Sequence, residues 1–372
     1  MKIIEVAPYY YPFVGGVEEV VRQYSERLVK KGHFVTVFTS KSGEGEEKLN
    51  GVDIKRFWSL PFLQKGSYLP ITPFLPFAFF KENPDLIHIH ANKRFTTDSA
   101  ALVAKLKKIP FVFSPHAGSW GKSIFGQIHN KTLGRIALSA NTVICVSGFE
   151  RKIIEDSGLK INRFEILPNG VDLEEFGKKR ENIFKNYGLD KKKIVLYVGR
   201  LAPHKRVDTL IEAAKRVVKE IPETHFFLVG PDAGEENRLR KQVANLNLTS
   251  FVTFAGKLSR EDLISAYQNS SLFCLPSRNE AFGIAIIEAF AAGTPVITTK
   301  IPSITEIVTD GVNGRLVAPG DPERLAAALL ELLKEEKLGK SFALEGTKVV
   351  KNHYNWEKIV DRLEEIYRSV IR

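Results

Sequence analysis

Short apolar runs, each closed by a turn and followed by an amphipathic stretch, recur from end to end of this chain, and that rhythm restricts its fold more than any other feature. IIEVA is followed by a glycine turn and by VEEVVRQYSERLVKKG, where Val17, Val20, Val21, Tyr24 and Leu28 recur at helical spacing and Gly32 closes the helix. FVTVFTS, DLIHIHA, FVFSPHA and NTVICVS read as further strands with helices or loops between them. Near Asn169 the pattern restarts. LPNGVD is a turn, a charged helical stretch (EEFGKKRENIFKNYGLDKKK) follows, and IVLYVG opens a second series: HFFLVG, FVTFAG, LFCLPS, PVITT and RLVAP. Runs apolar on both faces that alternate with helices need parallel sheets covered on both sides. The expected fold is therefore α/β, with two doubly wound domains of similar size. The end of the chain, YNWEKIVDRLEEIYRSVI, reads as one long amphipathic helix that either lobe could hold.

Composition narrows the function classes. With 372 residues, 44% apolar and 26% charged, the chain is neither a disulfide-stapled miniprotein, a disordered chain nor a collagen-like fibre. Its two cysteines, Cys145 and Cys274, lie in apolar runs and have no zinc-site spacing, so a reducing cytoplasm is the expected location. MKIIEVAPYYYPFVGG reads as a strand and turn rather than a secretory signal, and no run of apolar residues is long enough to span a bilayer. The net charge of +11 is uneven. Residues 1–170 carry 23 Lys and Arg against 15 Asp and Glu, and the rest carries 31 against 28. A basic first half suits a lipid surface, a phosphorylated small molecule or nucleic acid, and also a merely solvated surface. One segment, FWSLPFLQKGSYLPITPFLPFAFFK at 57–81, breaks the rhythm with Pro61, Pro70, Pro73 and Pro76. It reads as a loop and short helix packed on the first sheet, or as an exposed apolar surface for a greasy acceptor or a bilayer.

Four groups of residues carry chemistry. In NEAFGIAIIEAFAAGTPVITT, Glu288 sits inside a helix that is apolar nearly all round, so it needs a cation or hydroxyl donors. Glu280 lies eight residues earlier, with Phe282 and Gly283 expected to start the helix between them, and a helix start offers N–H groups to a phosphate. In VGRLAPHKRVDTLIEAA, Arg200, Lys205 and Arg206 follow a strand end, where doubly wound sheets form their ligand crevice. Gly15 and Gly16 lie between the first strand and helix, and allow close approach of the backbone to a ligand. His116, in SPHAGSW, again follows a strand. His88 and His90 alternate on one strand face, but a metal trio with His116 is not expected, because no carboxylate is near in sequence. No Asp-X-Asp occurs, so a diphosphate would be neutralised by Arg and Lys.

GGVEEVV, SPHAGSW, VICVS, LPNGVD, VGRLAPHKRVDTLIEA, FAGKL and NEAFGIAIIEAFAAGTPVI, in this order, resemble a family 4 retaining glycosyltransferase of the GT-B fold over nearly the whole chain. The resemblance implies two Rossmann-like domains facing a central cleft. The first, at 1–170, would bind the acceptor and take back a crossover helix at about 354–372, and the second, at 171–353, would bind a nucleotide sugar. It implies transfer of a hexose-type sugar from a nucleotide-diphosphate sugar with retention of configuration, without a metal or other cofactor. Arg200 and Lys205 match cations on the donor diphosphate, Glu280 the carboxylate gripping the donor sugar, and Glu288 the one binding the ribose. Phe282 and Gly283 match backbone donors near sugar and phosphate, and Gly16 the glycine loop over the diphosphate. His116 matches the histidine facing the transferred sugar, and Lys257 and Leu258 fall in the base-binding loop. Two departures stand out. KIPSITEIV puts Pro302 and Ser303 where the family often has Gly-Gly, keeping Glu306, and Arg206 stands where glycine often follows the lysine.

The expected partners are a nucleotide sugar and an acceptor sugar, lipid or small metabolite, with peripheral contact to an anionic membrane at the inner face and no nucleic acid. A nucleotide-sugar epimerase of the same fold, and a non-catalytic two-lobed sugar- or nucleic-acid-binding module, are the competing readings.

Overall fold

The computed structural model describes residues 1–371 except 14, 42–45, 65–66, 118–127, 130–131, 160 and 162. The last three residues of SPHAGSW thus lie outside the described residues. Two compact units emerge, Met1–Asn169 with Trp356–Arg372, and Gly170–Asn355.

The first unit is built on strands β1 (Lys2–Val6), β2 (Phe34–Ser40), β3 (Lys48–Leu49), β4 (Val52–Phe57), β7 (Leu86–His90), β8 (Phe111–Ser114), β9 (Thr142–Cys145) and β10 (Phe164–Ile166). They form one sheet in the order β10-β9-β8-β7-β1-β2-β4-β3, parallel throughout except for β3 beside β4. Because β1 is flanked by β2 on one side and β7 on the other, the strand order reverses at β1/β7, and ligand crevices of such sheets open beyond that point. The Gly16–Lys30 helix covers the sheet with Val20, Val21, Tyr24 and Leu28 buried, and Gly32 follows its end at φ 86°. The closing helix, Trp356–Ile371, belongs to this unit. It buries Trp356, Ile359, Val360, Leu363, Ile366 and Tyr367, and Glu357 meets Arg27 Nε at 2.8 Å. No helix among the described residues is long and apolar enough to cross a membrane.

Residues 57–81 hold more structure than a loop and short helix. Leu60–Gln64 (β5) and Ser67–Ile71 (β6) form a separate antiparallel ribbon in which Pro61 faces Pro70. The two residues without an N–H thus share one rung, which spares the rest of the ladder. A short helix, Leu75–Ala78, follows. Leu75 and Phe79 enter the core while Phe74, Phe77 and Phe80 are about 60% exposed.

The second unit carries β11 (Lys193–Val198), β12 (Thr224–Val229), β13 (Val252–Gly256), β14 (Leu272–Leu275), β15 (Val296–Thr299) and β16 (Arg315–Val317). All are parallel, in the order β13-β12-β11-β14-β15-β16, so the reversal falls between β11 and β14. The charged stretch after Asn169 is not one helix. It breaks into Leu173–Gly177 and a 3₁₀ turn at Ile183–Tyr187, because Asn182 caps Phe184 N and Gly188 takes φ 67°. The helix carrying Glu288 spans Ile284–Ala291. It starts later than Phe282 because Gly283 adopts φ 107°, a left-handed conformation that serves as its cap.

Candidate functional site

In the second unit the reversal point brings two turns together. The turn after β11 contains Arg200 and Lys205, and the one after β14 contains Ser277 and Glu280. Arg278 N donates to His204 O at 2.8 Å, tying the turns through their backbones. Lys205 Nζ donates to Glu280 Oε1 at 2.6 Å, and Ser277 Oγ donates to the same oxygen at 2.6 Å. Both side chains of the ion pair are mostly enclosed, 15% and 11% exposed, so the charges interact more strongly than a surface pair would. Arg200 is exposed beside them, and no ion pair to it occurs among the described residues. Arg206, where the family often has glycine, takes the left-handed φ of 52° and is braced by Asp208 and Thr209. Ser303, at the other departure, donates to Glu280 O at 2.9 Å and so holds the carboxylate's own backbone.

Three strand ends crowd here. Gly230 N donates to Gly256 O at 2.7 Å, and a Cβ on Gly230 would lie 2.0 Å from Gly199 O. Lys257 is exposed and Leu258 partly buried just after Gly256. Gly283 is similarly confined, since a Cβ there would meet Ile304 at 2.9 Å. The Phe282 ring is buried against Tyr354, edge-on at 5.5 Å.

Glu288 finds both of the partners a buried carboxylate needs. Arg260 Nη1 donates to Oε1 at 2.7 Å, and Tyr267 Oη donates to Oε2 at 3.0 Å. Arg260 also meets Glu175 at 2.8 Å. Burial opposes the guanidinium charge, but Glu288 and Glu175 outweigh it and raise its pKa. Burial and the Glu288 charge hold the Tyr267 hydroxyl well above its ordinary range, so it stays a donor.

In the first unit Gly15 caps, and Gly16 begins, the helix after β1. His116 follows β8, partly buried, at φ 51°. A left-handed non-glycine residue stores strain and marks a site whose surroundings hold it. Two buried carboxylates do so. Glu150 accepts from the amides of Ala117 and, at 2.7 Å, Val146. Its partners among the described residues are backbone amides, burial prevails, and its carboxyl is pushed up to about 7. Glu5 accepts from His90 Nε2 at 2.6 Å and from Tyr367 Oη at 2.9 Å, while His90 Nδ1 lies 3.1 Å from His116 Nε2.

Contrary to the expectation from sequence, a carboxylate stands beside the two histidines. Register pairs Glu5 with His88 across β1 and β7, and Glu5, His88 and His90 converge within reach of one ion. Each imidazole nitrogen of His88 and His90 nevertheless has a hydrogen-bond partner: Tyr367 and Ser114 for His88, His116 and Glu5 for His90. Hydrogen bonding alone therefore accounts for the cluster. Glu5, Glu150, Arg260 and Tyr267 were missed by sequence reasoning. Only Glu5 left a signal, a lone charge in IIEVA, a strand otherwise apolar on both faces.

Two doubly wound units of this strand order in one chain make a GT-B fold. The model for glycosyltransferase family 4 matches residues 14–175, and that for glycosyl transferases group 1 matches 179–349. The chain belongs to glycosyltransferase family 4. Similar proteins include an uncharacterized glycosyltransferase of Methanocaldococcus jannaschii, 28% identical over 100% of this chain and 99% of its own. A phosphatidyl-myo-inositol mannosyltransferase of Mycolicibacterium smegmatis is 28% identical over 100% of this chain and 94% of its own. Among solved structures, Anabaena HepE in complex with UDP and glucose superposes with a TM-score of 0.85 at 22% identity, over 99% of this chain and 100% of its own. A sucrose-phosphate synthase from Thermosynechococcus elongatus superposes at 0.82 with 25% identity, over 99% of each chain.

Proposed function

We propose that this glycosyltransferase moves a hexose from a nucleotide-diphosphate sugar to an acceptor hydroxyl, retains the anomeric configuration and needs no divalent ion. The observation that carries this reading is the Lys205–Glu280 pair at the β11/β14 reversal, with Arg200 exposed beside it. Cations at that point suit a diphosphate, and a carboxylate next to them suits sugar hydroxyls. The bond from the anomeric carbon to the diphosphate oxygen breaks, and its electron pair leaves with the diphosphate. Arg200, Lys205 and the start of the Ile284–Ala291 helix stabilise that charge. The acceptor oxygen bonds to the same face of the anomeric carbon, and its proton passes to the departing phosphate oxygen. His116 contacts the transferred sugar and Gly16 the diphosphate, as the family resemblance assigns them.

Glu288 binds the ribose in this reading. An ionised carboxylate has about four lone-pair sites. Arg260 and Tyr267 occupy one on each oxygen, which leaves room for a diol. Lys257 and Leu258 lie after β13 in the loop assigned to the base. HepE was solved with UDP and glucose, which supports a donor of this class.

The acceptor unit rests on an anionic bilayer in this proposal. Trp58, Leu60, Phe74, Phe77 and Phe80 are exposed on it, and its residues 1–170 carry an excess of Lys and Arg. The relative from Mycolicibacterium smegmatis is named for a phosphatidylinositol acceptor.

The test converts Lys205 and Glu280 separately to alanine and follows nucleotide release with donor and acceptor present. Loss of turnover in both is expected, and unchanged turnover in both would overturn the assignment. Flotation with anionic liposomes tests the membrane contact, and protein left wholly in solution would refute it.

A further inference from the structure

The buried cluster at the β1/β7 reversal is a directed chain of hydrogen bonds that ends on His116. A carboxylate only accepts, so Tyr367 Oη–H and His90 Nε2–H both point at Glu5. Glu5, His88, His90 and Tyr367 are wholly buried, and Tyr24 packs against both imidazoles, its ring 6.0 Å from that of His88 and 6.2 Å from that of His90. His90 is neutral near pH 7, because burial and the neighbouring His88 push it down to about 4. A neutral His90 with its proton on Nε2 has a lone pair on Nδ1. The atom 3.1 Å from that lone pair is His116 Nε2, which must then carry the proton of their bond. His116 Nδ1 is left as an acceptor. The second arm has the same sense: Ser114 Oγ to His88 Nε2 at 2.8 Å, then His88 Nδ1 to Tyr367 Oη at 2.6 Å.

We propose that Glu5 is a positioning residue which, through His90, fixes His116 as the Nε2–H tautomer, so that Nδ1 accepts a hydrogen bond from a hydroxyl of the transferred sugar. This rests on the reading of His116 as a sugar contact. It also gives the terminal helix a part in the site, because Tyr367 supplies the second donor that keeps the Glu5 carboxylate satisfied. The proton on a ring nitrogen is set by the partner of the other nitrogen, and a wrong tautomer presents a donor where an acceptor is needed.

The test uses the full chain with ¹⁵N-labelled histidine and long-range ¹H–¹⁵N spectra near pH 7.5, the His116 signals being assigned with His116→Ala. Wild type is expected to show His90 and His116 protonated at Nε2. In Glu5→Met, which fills the space without an acceptor, His116 is expected to become a mixture of tautomers. Sugar transfer should then fall about tenfold, the worth of one hydrogen bond. His90→Leu, which cuts the chain while leaving Glu5 with Tyr367, should give the same mixture, and it serves if Glu5→Met does not fold. Wild-type His116 protonated at Nδ1 would overturn the proposal, as would a His116 tautomer unchanged in either variant, or undiminished transfer despite a changed tautomer. Full transfer by His116→Ala would instead show that His116 does not contact the sugar. That failure belongs to the underlying reading, and the tautomer spectra would still decide the link to Glu5.

Discussion

Lys205 Nζ and Glu280 Oε1 are 2.6 Å apart, on turns that leave neighbouring parallel strands at the point where the sheet order reverses. Removing one partner strands the other charge in a largely enclosed place. Lys205→Ala and Glu280→Ala should therefore each cost about 1–3 kcal/mol of stability, and the double variant less than their sum. Turnover should fall by about 10²- to 10³-fold in Lys205→Ala if the lysine stabilises the leaving diphosphate. Denaturant melts and steady-state kinetics on the four proteins separate the two effects. Additive stabilities would deny the pair its coupling.

A second consequence concerns Glu288, whose two oxygens take Arg260 and Tyr267. Glu288→Ala leaves the Arg260 guanidinium without its inner partner and should cost roughly 3 kcal/mol. Tyr267→Phe removes one neutral donor and should cost about 1 kcal/mol. If the carboxylate also binds a ribose, Glu288→Gln should weaken nucleotide binding about tenfold, whereas Tyr267→Phe should leave it near wild type. Calorimetric titration with UDP, GDP and ADP measures both, and equal affinity in Glu288→Gln and wild type would remove the ribose role.

Glu150 makes a prediction about pH. Its carboxyl, buried with the Ala117 and Val146 amides as its partners among the described residues, is pushed up to about 7 from the ordinary carboxylate range. Between about pH 4.5 and 7 the native state therefore holds a proton that the unfolded chain has lost. The stabilisation from this group is fully present below the unfolded pKa and is lost as pH rises through about 7. The size of the loss is on the order of 3 kcal/mol. Glu150→Gln cannot titrate, so its stability relative to wild type should rise from pH 4.5 to pH 8. Urea melts across that range check it, and a difference that does not vary with pH would contradict the assignment.

How much of this was legible beforehand follows from what each contact depends on. FVTVFTS became Phe34–Ser40 because its β-branched and aromatic residues favour a strand and Val35, Val37 and Phe38 are buried, and that shows in one segment of sequence. Lys205 and Glu280 were legible because charges that follow strand ends fall into the crevice of any doubly wound sheet. Glu5 was hard to read because its partner His90 lies 85 residues away and meets it only through sheet register. Glu150 is bound by backbone amides, which no pattern of side chains reveals. The β5/β6 ribbon was hidden by Pro61 and Pro70, which read as strand breakers until they are seen opposite each other. Arg260 sits in the first turn of an ordinary amphipathic helix, and only the fold turns it toward Glu288.

The exposed aromatic residues of the first unit give a prediction that separates surface binding from folding. Phe77 and Phe80 are 66% and 63% exposed, whereas Phe79 between them is buried. Replacing Phe77 and Phe80 together with serine should leave thermal stability nearly unchanged and strongly reduce flotation with anionic liposomes. Phe79→Ala should do the reverse, costing about 3–5 kcal/mol. If the double serine variant floats as wild type does, these rings are not the membrane contact.

Gly230 tests whether close approach of strand-end turns is needed for catalysis. A Cβ there would stand 2.0 Å from the carbonyl oxygen of Gly199, immediately before Arg200, so the backbone itself would have to yield. Gly188 is a control for positive φ without crowding, since it has φ 67° and nothing within 4 Å of an added Cβ, whereas Gly230 has φ 139°. Gly188→Ala should cost about 1–2 kcal/mol, the conformational penalty alone. Gly230→Ala should cost more, because φ 139° is less open to alanine than φ 67° and displacement of the Gly199 peptide is added to that strain. It should also slow sugar transfer, because Arg200 moves with the displaced peptide, whereas Gly188→Ala should not. Thermal unfolding and donor turnover on both variants check this. Equal losses of stability would mean that the turn relaxes freely, and unchanged turnover in Gly230→Ala would mean that the position of Arg200 does not limit the reaction.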